Sequence, residues 1–127
     1  MKDKKTDIFY LKNIISNCKF ILNEFLNIKN KSEFIKDIKT QNAVMFSIIQ
    51  IAENAKKTSE AFKESTKELE WVKMIAFRNM IIHNYDNVDL DRVYDIAKEN
   101  IPKLYKSINK QFKEINNIKK EQEEVME

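Results

Sequence analysis

The side chains best suited to chemistry near neutral pH are gathered in one short run, Phe77-Arg78-Asn79-Met80-Ile81-Ile82-His83-Asn84-Tyr85. His83 is the only histidine in 127 residues, and Arg78 and Arg92 are the only arginines among 23 basic residues. Arginine presents a planar, permanently charged fork that binds a phosphate through two hydrogen bonds, which lysine cannot copy. Histidine exchanges a proton near neutral pH. Together they suggest work on a phosphodiester.

A helix running through this segment would separate Arg78 and His83 by about 140° around its axis and about 7.5 Å along it. Both then reach one site only if the long arginine folds toward a histidine at the helix end, or if the site lies in a groove against another helix or subunit. Arg78 and Tyr85, seven apart, would share a face of a continued helix. The plainer alternative pairs Arg78 with a carboxylate and lets His83 cap the helix C-terminus, where a cation is favoured.

The elements that must hold these residues are helical. The chain has no glycine and one proline, so glycine-rich phosphate loops and dinucleotide fingerprints are excluded and primed hairpin turns are disfavoured. A single domain is expected at this length, spanning 1–127, with a core over about 7–108 and a C-terminal helix and charged tail over 109–127. A lone cysteine, Cys18, forms no internal disulfide, and one histidine gives no zinc site of ordinary spacing. Neither metal nor cofactor is expected. The start, MKDKKTDIFY, lacks the apolar run of a signal peptide, and no stretch approaches 18 uninterrupted apolar residues. These features predict a soluble, cytoplasmic chain with no membrane partner. Net charge is only +3, weak evidence for a polyanionic partner.

Periodicity predicts four or five mostly antiparallel helices. Ile8, Leu11, Ile15, Cys18, Leu22 and Phe25 form the stripe of a first helix, with Cys18 a small buried residue. A second helix, about 33–57, is expected to start at a Ser32 cap and to face inward through Phe34, Ile38, Gln41, Met45, Ile48, Ala52 and Ala55. Residues 58–67 read as a loop or one loose turn. A third helix, about 68–83, carries Leu69, Val72, Ile75, Ala76, Asn79 and Ile82 on one side and Trp71, Met74, Phe77 and Ile81 on the other. A helix apolar nearly all round is central, or lies at a subunit interface. Asp89 caps a last helix whose stripe runs from Val93 to Ile118, with Pro102 predicting a kink or a fresh start.

The sequence as a whole resembles the HEPN toxins paired with minimal nucleotidyltransferase antitoxins, often called HepT-like. The resemblance rests on R-N-x-x-x-H-x-Y at Arg78, Asn79, His83 and Tyr85, against the family pattern R-x4-H-x-Y. It extends through Tyr10-Leu11, Ser32-Glu33-Phe34, Asp37, Thr40-Gln41, Ile51-Ala52-Glu53-Asn54-Ala55, Trp71, Val88-Asp89, Ile101-Pro102 and Leu104, covering about residues 7–108. Ala52 stands where the family usually has glycine, and the long Lys-rich tail after Ile108 is a second departure. The resemblance implies an all-α, HEPN-type antiparallel bundle that forms a homodimer with both motifs facing a shared cleft. It implies a toxin of a toxin–antitoxin system, acting as a metal-independent endoribonuclease on RNA, with Arg78 and His83 catalytic and Asn79 supporting. Tyr85 matches the tyrosine that the nucleotidyltransferase antitoxin modifies with AMP.

Metal-free RNA cleavage needs a base for the ribose 2′-hydroxyl, a cation for the developing phosphorane charge and an acid for the leaving oxygen. One chain offers one histidine; a symmetric dimer offers two. The competing reading is a non-catalytic HEPN dimer that binds a nucleotide or partner protein through the same cleft.

Overall fold

A computed structural model of the chain describes residues 4–83 and 87–126. Helix α1 (Lys4–Glu24) buries Leu11, Ile14, Cys18 and Ile21, close to the expected stripe. Burial pushes the Cys18 thiol up to about 12. It therefore stays protonated at neutral pH and acts as a packing residue.

The expected second helix is two helices, α2 (Lys31–Lys36) and α3 (Ile38–Lys57), divided at Asp37. Asp37 adopts a non-helical φ of −105°, and its carboxylate accepts from the Thr40 amide at 3.0 Å and the Thr40 hydroxyl at 2.6 Å. The two bonds hold this carboxyl below its ordinary range, the hydroxyl first. The cap is thus at full strength at neutral pH and weakens only as acidification passes through the lowered value. Across the break, the buried Gln41 amide donates to the carbonyls of Phe34 and Ile35 at 2.9 and 2.8 Å, serving groups that a helix end leaves open. The break displaces only the start of the expected stripe, since Gln41, Ile48, Ala52 and Ala55 are buried as expected. Ile38, expected inside, is 68% exposed, while Val44, Ile48, Ile51 and Ala55 are fully buried. The cap of α2 is Asn30, not Ser32: its side chain accepts from the Glu33 amide at 2.9 Å, while the Glu33 carboxylate accepts from Lys29.

Residues expected as a loop contain helix α4 (Glu60–Ser65), which Ser59 caps by accepting from the Phe62 amide. Ser59 is in turn gripped by Asp7, which is 3% exposed and accepts from its amide at 2.8 Å and its hydroxyl at 2.6 Å. This contact ties the first turn of α1 to the start of α4. Beyond α4, the indole N–H of Trp71 donates to the Thr66 hydroxyl at 3.1 Å, and its ring meets Phe62 edge-on at 6.2 Å.

Helix α5 (Trp71–Ile81) is shorter than expected at both ends, and it faces inward through Trp71, Met74, Phe77 and Ile81. The opposite stripe lies outward: Val72 is 84% exposed. The aromatic and longer side chains fill the interior, where they remove more apolar area from water. After it come two antiparallel two-residue strands, β1 (Ile82–His83) and β2 (Asn87–Val88), then α6 (Leu90–Asp95), a π-helical turn (Ile96–Asn100) and α7 (Ile101–Met126). Pro102 is the second residue of α7, in line with a fresh start there, while the backbone stays helical through Ile96 and Ile101. The wide turn ahead of it, closed by the Ile101 amide on the Ile96 carbonyl, accommodates a residue that has no N–H to give. Val93, Ile96, Ile101 and Ile108 are fully buried as the stripe predicts. The main layers are α1 against α3 and α7, and α3 against α5. Among the described residues, no helix is long and apolar enough to cross a membrane.

The Asp7–Ser59 contact is buried and charge-assisted, so Asp7→Ala should lower unfolding free energy by about 2–3 kcal/mol and Ser59→Ala by about 1–2. Urea titrations of both single variants and the double variant check this. Fully additive losses would show that the two residues do not interact.

Candidate functional site

The site is built where α5 ends. Arg78 lies four residues after Met74 and seven after Trp71, so it projects within about 40° of both around the helix axis. Those two side chains are buried, yet Arg78 is exposed. The inward side of α5 therefore opens at its last turn, and a permanent positive charge stands at the opening. Among the described residues, Arg78 has no ion pair, so the carboxylate partner of the plainer reading is not found there. Asn79 is also exposed, about 100° further round.

Beyond Ile81 the chain stops spiralling. The Ile82 amide still reaches back to the Arg78 carbonyl, but Ile82 has φ −107° and ψ 110° and is already extended. Ile82 pairs with Val88 and His83 with Asn87. The Asp89 amide donates to the Ile81 carbonyl at 2.8 Å, and the Asp89 carboxylate caps α6 through the Arg92 amide at 3.0 Å. This corrects the helical relation between Arg78 and His83: the expected helix to residue 83 ends at Ile81, and an extended residue advances the backbone about 3.3 Å rather than turning it by 100°. The pair is joined by a helix exit followed by a short hairpin, with His83 fixed at backbone level opposite Asn87. The His83 side chain and residues 84–86, including Tyr85, lie outside the described residues.

Arg92, the chain's other arginine, is exposed on α6, which packs against α5. Sequence reasoning assigned it no role, although its rarity was a signal: the two arginines bracket the hairpin, one on each flanking helix. Cys18 is far removed in character, being buried and protonated.

The described residues form an all-α bundle of the HEPN type. The chain matches the family described as Ribonuclease HepT-like over residues 14–111, and it belongs to that family. It is 33% identical over 112 residues to a Methanocaldococcus jannaschii protein named "Putative RNase MJ0127", covering 88% of this chain and 92% of the relative. It is 29% identical over 104 residues to "Putative RNase TTE0752" of Caldanaerobacter subterraneus subsp. tengcongensis, covering 82% and 92%. A third relative, "Probable ribonuclease HepT" of Thermococcus cleftensis, is 36% identical over 72 residues, covering 57% and 66%. No solved structure matches significantly.

Proposed function

We propose that this protein is an endoribonuclease toxin that cuts RNA without a metal ion, using Arg78 and His83, with Asn79 in support. The observation that carries the reading is the exposed Arg78 on the otherwise buried side of α5, one helix exit away from the only histidine. Membership of a ribonuclease family supports it. In this scheme one His83 takes the proton of the ribose 2′-hydroxyl, the oxygen attacks the adjacent phosphorus, and the 5′-oxygen leaves with a proton from a second imidazole. Arg78 balances the charge that builds on the non-bridging oxygens.

A second imidazole requires a second copy, and the domain, 1–127, is proposed to work as a homodimer. The outward side of α5 supports this, since Val72 is exposed and Ile75 and Ala76 are only half-buried beside exposed Asn79. A contact along that face would set two hairpins near one another. Control is proposed to come from a nucleotidyltransferase antitoxin that places AMP on Tyr85. The new phosphodiester would bring an anion to Arg78 and an adenine into the space that RNA needs.

Three outcomes are expected. His83→Ala should lower cleavage of total RNA by at least about a hundredfold and should lose growth arrest when expressed without antitoxin; cleavage at the wild-type rate would remove the nuclease assignment. Val72→Glu should shift the protein to a monomer in sedimentation and abolish cleavage with its helical signal intact, whereas an active monomer would contradict the two-imidazole scheme. Tyr85→Phe should gain no AMP mass when incubated with ATP and the antitoxin and should stay active. Silencing of the unmodified variant would point to steric neutralisation instead.

A further inference from the structure

The net charge of +3 is unevenly spread. Positions 4–23 and 101–113 together hold eight lysines and a single carboxylate, Asp7, which is buried against Ser59. Everything else in the chain is therefore net negative. The fold sets the two positive segments side by side: α1 packs on α7, and the Lys12 ammonium stands 6.0 Å from the centre of the Phe112 ring.

On α7, Lys103, Lys106, Lys110 and Lys113 are all exposed. Their steps of three, four and three place them in one row about 15 Å long. On α1, Lys5, Lys12 and Lys19 are exposed and recur every seven residues, a second row about 21 Å long. None of these seven has an ion pair among the described residues. The lysines around α4 and α5 differ: Lys63, Lys67 and Lys73 each meet the glutamate three residues earlier, at 3.5, 3.1 and 3.6 Å. Charge is neutralised there and left open on α1 and α7.

Two aromatic rings stand beside the α1 row. Phe9 is 58% exposed and Phe20 43%, and eleven residues put them on nearly the same side of the helix, about 16 Å apart along it. Exposed rings beside unneutralised lysines are what single-stranded nucleic acid uses, since phosphates track the cations and unpaired bases stack on the rings. The same positive face repels its own copy, which argues against self-association there. The α7 row also begins next to the motif helix: Lys103 lines a groove with Phe77, the residue before Arg78.

We propose that the outer face of α1 and α7 binds single-stranded RNA, with phosphates on the lysine rows and bases on Phe9 and Phe20. This rests on the ribonuclease reading and deepens it by giving the substrate a dock apart from the scissile bond. The test measures fluorescence anisotropy of a labelled single-stranded oligouridylate with the full chain carrying His83→Ala, over a series of salt concentrations.

Adding Lys106→Glu and Lys110→Glu should weaken binding about tenfold or more near 0.1 M salt and flatten the dependence of log K on log salt by about 0.7 per lost phosphate contact. Adding Phe9→Ala and Phe20→Ala instead should weaken binding about tenfold with the salt slope unchanged. In the His83 background of the native chain, the same changes should raise KM for RNA and leave kcat alone. Wild-type affinity in both folded variants overturns the proposal, as does a change in oligomeric mass with RNA affinity unchanged, which would make the face a protein contact. A native chain that binds RNA through this face but does not cut it would sustain the dock and remove the nuclease reading.

Discussion

A chain without glycine has no ready way to end a helix in the left-handed conformation, because every other residue pays for a positive φ with a Cβ clash. Helices α2 to α5 leave through negative φ values, −105° at Asp37, −67° at Thr58, −130° at Thr66 and −107° at Ile82. Four helices are then started by a side-chain oxygen: Asn30, Asp37, Ser59 and Asp89 each accept an amide from the turn they open, whereas α5 begins at Glu70 without one. Asp37 serves as the exit of one helix and the cap of the next. The buried Asp7 then fixes one of these caps, Ser59, from across the bundle. Polar caps, rather than flexible residues, set the angles between layers.

The motif depends on the same constraint. At the end of α5 an extended exit at Ile82 is the available route, and it turns a helical Arg–His relation into a hairpin one. The hairpin is held by two backbone pairs and by Asp89, which binds the Ile81 carbonyl with its amide and restarts the helix with its carboxylate. A histidine carried on a short ladder has its backbone direction fixed more firmly than one at a fraying helix end. Arg78 gains differently: it remains in the helix, where the interior side chains below it leave its charge at an opening of the core.

Much of the architecture was legible in hydrophobic spacing. The stripe of the long rod through α6 and α7 matches the buried residues from Val93 to Ile108, Ile118 lying outside the described side chains; that of α1 holds for Leu11, Ile15 and Cys18 but missed Ile14 and Ile21. What was misread follows from events that periodicity does not register. Ile38 was assigned inward because a continuous 33–57 helix was assumed, and the Asp37 break leaves it 68% exposed at the new start, while Gln41, Ile48, Ala52 and Ala55 beyond it are buried as expected. Val72 was assigned to the stripe because both sides of α5 are apolar; only packing against α3 decides that Trp71, Met74 and Phe77 go in. The role of Asp7 gave no signal in the spacing, since its partner lies 52 residues away. The hairpin at His83 was invisible because Ile82 and His83 continue an apolar run that reads equally well as helix.

The placement of charge follows from where the bundle needs its carboxylates. Caps and local pairs occupy many acidic residues between α2 and α6, where Asp37 and Asp89 cap helix starts and Glu60, Glu64 and Glu70 neutralise nearby lysines. Helices α1 and α7 run long without internal breaks, need no such caps along their lengths, and leave Lys5, Lys12, Lys19, Lys103, Lys106, Lys110 and Lys113 without ion pairs among the described residues. At physiological salt the screening length is about 8 Å, shorter than the lysine rows themselves. A polyanion approaching α1 and the first half of α7 therefore meets the local positive face, not the small average of +3.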